Sequence, residues 1–238
     1  MKNIFPILGL TIGLVMGSAP EASAQDPEII QHPPPRIAPI NVAPFLDAGC
    51  VQNDDNLDCS SSTAIQRFGC FGNTLHIDAT LGGLAPRVAI AECNADARSG
   101  DREGIVSLGC RLPQKRRYLL ATGSGRFKLI DTAAKFIDQF APVTSPAEAL
   151  GFAAALTTAN PEYTIEIHEG RDFLVDQIET TNIRRVRGGY RVRLFDRELC
   201  GCSLHPTSAV DYFVPYSGRV RAVKREEVYQ STGVVCID

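Results

Sequence analysis

The chain has 238 residues, of which 44% are hydrophobic and 21% charged, and its formal net charge is −3. That length suffices for one large domain or two small ones. A faintly acidic balance supplies no overall attraction to a polyanion, so nucleic acid is not expected as a partner.

The first 24 residues place Lys2 before an apolar run from Ile4 to Met16 and then the small residues Ala22-Ser23-Ala24, the pattern of a cleaved secretory signal. A membrane anchor needs about 20 unbroken apolar residues. This run is shorter and holds Pro6, and no later segment is long and apolar enough to span a bilayer. The first cysteine is Cys50, so no lipid-bearing cysteine follows the cut. The expectation is an exported protein, periplasmic or extracellular. The lack of any Asn-x-Ser/Thr sequon agrees with a bacterial envelope.

Residues 25–45 carry Pro27, Pro33, Pro34, Pro35, Pro39 and Pro44. Such a density favours extended polyproline II, read here as a semi-rigid linker whose His32 is no ligand. Residues 46–130 form a cysteine-containing, β-rich half. Leu75, Ile77, Ala79 and Leu81 alternate with polar residues, and Gly82-Gly83 permits a reversal before Val88–Ala91. Short strands are expected at 104–110 and on either side of Gly123-Ser124-Gly125, with an exposed polar loop over 94–104. Residues 131–238 open with two helices. Asp131 is the expected N-cap of the first. Ser145, Pro146 and Glu148 give the second a capping box with proline in its first turn. Strands are then expected at 163–168, 173–187, 190–199, 208–214 and 219–229. The fold class that follows is α+β: antiparallel sheet with two central helices on one face, a C-terminal meander, and disulfide staples.

All eight cysteines, Cys50, Cys59, Cys70, Cys93, Cys110, Cys200, Cys202 and Cys236, lie beyond the signal. An even count in an exported chain reads first as disulfides. Five lie at or before Cys110 and three at or after Cys200, so full pairing demands at least one bridge between the halves. The two halves are therefore expected to be one stapled unit.

The segment ELCGCSLHPTSAVDYF (198–213) holds the residues most like chemistry. Cys200 and Cys202 share a strand face with side chains parallel, which disfavours a bond between them. The structural reading sends one to Cys236 and the other to the N-terminal half. Gly201 would let the strand bend into a strained, redox-active Cys200–Cys202 bond, and two further readings stay open. Cys200, Cys202 and His205 would be metal ligands, with a one-residue spacing tighter than zinc sites use. Alternatively Cys202 would be a nucleophile, His205 its base and Asp211 the orienting carboxylate. That second reading needs a free thiolate. The chemical alternative for the whole protein is an exported metal- or thiol-dependent enzyme.

Five arginines crowd residues 184–193. Pairing Val186 with Val192 would bury the valines and set Arg185, Arg187, Arg191 and Arg193 on one face, a candidate site for an anionic partner. Arg184 falls on the other side in that register. Other signatures are incomplete. His168-Glu169 has Asp172 where a zinc helix needs histidine, and Ser107 misses the nucleophile elbow by one position. Asp54, Asn56 and Asp58 alternate like calcium ligands, but Cys59 replaces the glycine that such a loop needs. No motif calls for a cofactor, and none is expected. The expected role is a disulfide-stabilised binding or structural module with an unknown envelope or extracellular partner; the arginine face would suit an anionic one and otherwise reads as a solvated strand face.

Overall fold

The computed structural model describes residues 26–97, 103–110, 113–123, 125–197 and 200–237. The signal-like residues 1–24, the middle of the 94–104 loop and Ser124 lie outside the described residues. The fold is α+β, with four helices, mostly antiparallel sheets and a C-terminal meander.

The N-terminal half builds a six-stranded antiparallel sheet. Its order is Phe127–Ile130, Tyr118–Ala121, Ile90–Glu92, Thr74–His76, Asn56–Asp58 and Val51–Asn53. Two short helices, α1 (Ala43–Asp47) and α2 (Thr63–Gln66), flank it. The strand expected through Leu81 stops at His76. There the Asp78 side chain accepts the Thr80 N–H at 2.9 Å and starts a 3-10 turn over Ala79–Gly83. The glycines serve close approach, not a hairpin: a Cβ on Gly82 would lie 2.0 Å from the Ala38 carbonyl oxygen, and one on Gly83 would lie 2.5 Å from that of Ala147.

The two central helices follow. In α3 (Ala133–Phe140) the N-cap is Thr132, not Asp131; its Oγ1 accepts the Lys135 N–H at 3.2 Å, while Asp131 pairs with the Lys135 ammonium. In α4 (Pro146–Leu156) Ser145 Oγ accepts the Glu148 N–H at 3.2 Å. Glu148 reaches back to the N–H and hydroxyl of Thr144, one residue beyond the usual capping box. Helix α4 is apolar all round, with Ala149 to Ala155 buried, as a helix enclosed on every side must be. The largest apolar cluster draws Ile90, Tyr118 and Leu120 from the first sheet, Phe136, Phe140, Leu150 and Phe152 from the helices, and Val192, Leu194, Val210 and Val214 from the second sheet. One core therefore joins residues of both halves.

The second sheet runs Arg171–Phe173, Arg221–Ser231, Thr207–Pro215, Gly189–Arg197, Ile183–Val186. Residues 163–168 are not a strand; Ile165 instead packs in a smaller cluster with Ile178, Phe195, Ala209, Val228 and Tyr229 on the sheet's outer face. The proline-rich segment is bound to the body and does not hang free as a linker. Glu28–Ile30 pairs in parallel with Gln177–Glu179, and Ile37 and Ile40 pack on the main core. Ile29, Ile37 and Ile40 are half-buried there, and the apolar area they remove from water favours the attachment.

Four disulfides complete the frame: Cys50–Cys59, Cys70–Cys93, Cys110–Cys200 and Cys202–Cys236. The first two are buried beside Phe45 and Leu57. Cys110–Cys200 spans 90 positions and joins the halves, as the odd counts on either side require.

Candidate functional site

Among the described residues, 200–211 do not bring a thiolate to His205. Cys200 is bonded to Cys110 and Cys202 to Cys236, and no cysteine is free. A disulfide sulfur is neither a thiolate ligand nor a thiolate nucleophile, so the metal set of Cys200, Cys202 and His205 and the Cys202–His205–Asp211 triad both lack their central group. Among the described residues no three His, Cys, Asp or Glu side chains converge on a metal position. His205 is buried, with a positive φ of 47°. Its Nε2–H donates to the Val235 carbonyl at 2.6 Å, and its backbone N–H donates to Ser203 Oγ at 3.2 Å. The imidazole thus ties the last strand, Val235–Ile237, to the Gly201–Ser203 strand. Asp211 lies in the second sheet and accepts from Arg193, at 2.8 Å from Nε and 3.3 Å from Nη2. Burial works to lower the pKa of Arg193, but the Asp211 carboxylate outweighs it and the net shift is upward.

The calcium-like loop is likewise committed. Asp54 and Asp55 form the turn of a hairpin, Asn56 Oδ1 meets the His76 ring, and Asp58 accepts the Ser60 N–H at 2.9 Å. Ser107 Oγ accepts from Lys115 at 2.6 Å, and His168 Nδ1 accepts the Gly170 N–H at 3.1 Å.

A cleft of about 840 Å³ lies beside the Cys110–Cys200 bridge. Arg197 reaches Glu162 at 2.7 Å there, and Arg225 pairs with Asp196. Glu162 also accepts from the Tyr229 hydroxyl, whose pKa burial and that hydrogen bond push up to about 12. Its charges are matched in opposite pairs, so a charged ligand would first have to separate them.

The arginines are arranged differently from the expected square. The hairpin pairs Val186 with Gly189, Arg185 with Tyr190, Arg184 with Arg191 and Ile183 with Val192. Its loop is the two residues Arg187 and Gly188, and Gly188 adopts φ of +85°, open to glycine at little cost. This register still buries Val192, but it moves Arg185 to the helix-facing side, where the neighbouring Tyr216 is the first cause of its raised pKa. Arg187 is in the turn. Arg193 is on the outer face but is held by Asp211. Of the four, only Arg191 is both outward and exposed on that face, and no ion pair among the described residues involves it.

Arg191 instead belongs to a row that crosses four strands. Arg184 pairs with Arg191, Arg191 with Phe213, and Phe213 with Arg221. Residues directly opposite in a sheet share a face. Tyr190, Val192, Tyr212 and Val214 point into the core, so this row points out. All three arginines are exposed, and the Arg221 guanidinium sits 5.0 Å from the Phe213 ring centre. Arg184 forms an ion pair with Glu179, while no ion pair among the described residues involves Arg191 or Arg221. The adjoining turns add Arg187 and Arg219. Residues 180–195 contain five arginines and residues 212–225 three arginines and a lysine, with no acidic residue in either stretch. The outer face is therefore divided. Its far end is covered by Ile29, Ile165, Phe173 and Ile178, the buried Arg193–Asp211 pair marks the boundary, and the arginine row stands open.

Sequence reasoning found the arginine-rich hairpin but missed Phe213 and Arg221, and set Arg184 on the wrong side. The acid-free stretch 212–225 was the available signal. No family model, curated protein or solved structure matches this chain.

Proposed function

We propose that the protein is an exported binding module that holds an anionic polymer on the outer face of its C-terminal sheet. The observation that carries this reading is the Arg184–Arg191–Phe213–Arg221 row, three exposed arginines around a half-buried Phe213, of which only Arg184 is ion-paired, with Glu179, on a chain whose net charge is −3. Charge concentrated on one surface of an acidic protein serves a local contact, not general adhesion to polyanions. Guanidinium groups suit carboxylate, sulfate or phosphate because their fork of donors matches two oxygens. Four disulfides are typical of proteins that work in an oxidising compartment, and they support export. Among the described residues no helix is long and apolar enough to cross a membrane.

The test is retention on immobilised anionic polysaccharide across a salt gradient, comparing the wild type with a triple variant, Arg184→Ser, Arg191→Ser and Arg221→Ser. The expected result is salt-sensitive retention that the triple variant loses while keeping its far-UV dichroism. Equal retention of the two proteins, or none for the wild type, would overturn the reading.

A further inference from the structure

Building on the proposed anionic polymer, we infer that it is a linear acidic polysaccharide with one carboxylate on each sugar, lying across the strands of the C-terminal sheet. The argument is one of spacing. Neighbouring strands lie about 4.8 Å apart, so the four-strand row spans three intervals, about 14 Å. One strand interval is close to the advance per sugar along a 1,4-linked pyranose chain. Arg184 and Arg191 stand on adjacent strands and would meet carboxylates of adjacent sugars, Arg191 directly and Arg184 by exchanging its exposed Glu179 partner for the ligand. Phe213 occupies the third position and Arg221 the fourth. The third sugar thus meets an aromatic side chain, and the fourth meets a charge.

Three features fit this ligand better than a chain of bare phosphates. First, the row is interrupted by a ring, which gives a phosphate nothing but offers a sugar an apolar surface. Second, Arg221 is stacked on that ring, 5.0 Å from its centre, which orients its guanidinium before the ligand arrives and reduces the freedom lost on binding. Third, the ends of the row are open. Ile183–Val186 is an edge strand, and on the other side Arg171–Phe173 covers only Tyr229–Ser231 of the Arg221–Ser231 strand. A polymer can therefore enter and leave the face without its ends being buried.

The experiment uses mature protein with its disulfides intact and oligogalacturonates of two, four and six sugars, with affinity read by calorimetry. Fully methyl-esterified tetramer and inorganic tetraphosphate are the comparators. Affinity is expected to rise about tenfold or more from dimer to tetramer and to change little at the hexamer, since four sugars fill the row. Esterification should abolish binding. Arg191→Ser should weaken the tetramer about tenfold, the loss of one charge-assisted pair. Phe213→Ala should weaken it at unchanged charge, and Phe213→Tyr should restore it. Tetraphosphate binding as tightly as the acidic tetramer, no dependence on length, or an indifferent Phe213→Ala would overturn the inference. If sulfated or phosphorylated polymers bind and oligogalacturonates do not, only this inference fails. If no polyanion binds, the proposed function fails with it.

Discussion

At the residue scale, the pair Arg193–Asp211 separates the closed from the open part of the outer face. Both side chains are largely buried, with 17% and 9% of their surface exposed. Removing one partner leaves a buried charge alone, so Arg193→Ala is expected to cost about 3 kcal/mol in urea unfolding. The double change Arg193→Met with Asp211→Leu is expected to stay within about 1 kcal/mol of wild type, because no charge remains to be desolvated. A double variant as unstable as the single one would show that Asp211 has another partner of consequence. Tyr229 gives a pH dependence. Its pKa is raised from 10.0 to about 12, first by burial and then by its bond to Glu162. A raised value means that its contribution to stability is complete below pH 10 and is lost as the pH rises through about 12. Tyr229→Phe should therefore flatten the fall in stability between those values, measured by thermal unfolding in alkaline buffers.

At the element scale, the register of one hairpin decides what the surface is. The sequence states plainly that 183–194 is a hairpin of alternating valine and arginine. It does not state the loop length, because the expected pairing of Val186 with Val192 and the observed pairing of Ile183 with Val192 each bring apolar residues together, and packing against α4 selects between the faces. Tyr190 settles the matter physically: its ring packs in the main core while its hydroxyl donates to the Thr144 carbonyl at 2.7 Å. Helix α4 was legible because capping is local chemistry, in Ser145, Pro146 and Glu148. The row partners Phe213 and Arg221 were not, since pairing across strands is set by contacts distant in sequence. The same limit applies to the proline-rich segment, whose attachment depends on Gly82. The change Gly82→Ala is expected to push Ala38 away and release residues 26–42 to limited proteolysis, with the rest of the fold intact. Unaltered protection of that segment would show that Ile29, Ile37 and Ile40 suffice to hold it.

At the scale of the whole molecule, the shared apolar core, the buried Arg116 guanidinium donating to the Ala154 and Thr157 carbonyls, and Cys110–Cys200 join the halves. The parity of the cysteines made the bridge legible, while its partners required the structure. In the chain-entropy description a bridge closing about 90 residues contributes about 4 to 5 kcal/mol. The double variant Cys110→Ser with Cys200→Ser is expected to fold, because the core remains, but to melt roughly 10 °C lower. Separate melting transitions for the two halves would show that the core alone does not couple them. Division of labour follows from this frame. The buried bridges and the helices make a rigid support, and the sheet face they leave uncovered carries the charge.

The arginine row is the central claim, and the arginine Nε–Hε resonances of the labelled protein test it most directly during titration with acidic tetrasaccharide. The expected result is that Arg184, Arg191 and Arg221 shift together and saturate at one ligand per chain, while Arg193, held by Asp211, stays in place. Shifts confined to Arg197 and Arg225 would place the ligand in the cleft beside Cys110–Cys200 and contradict the account.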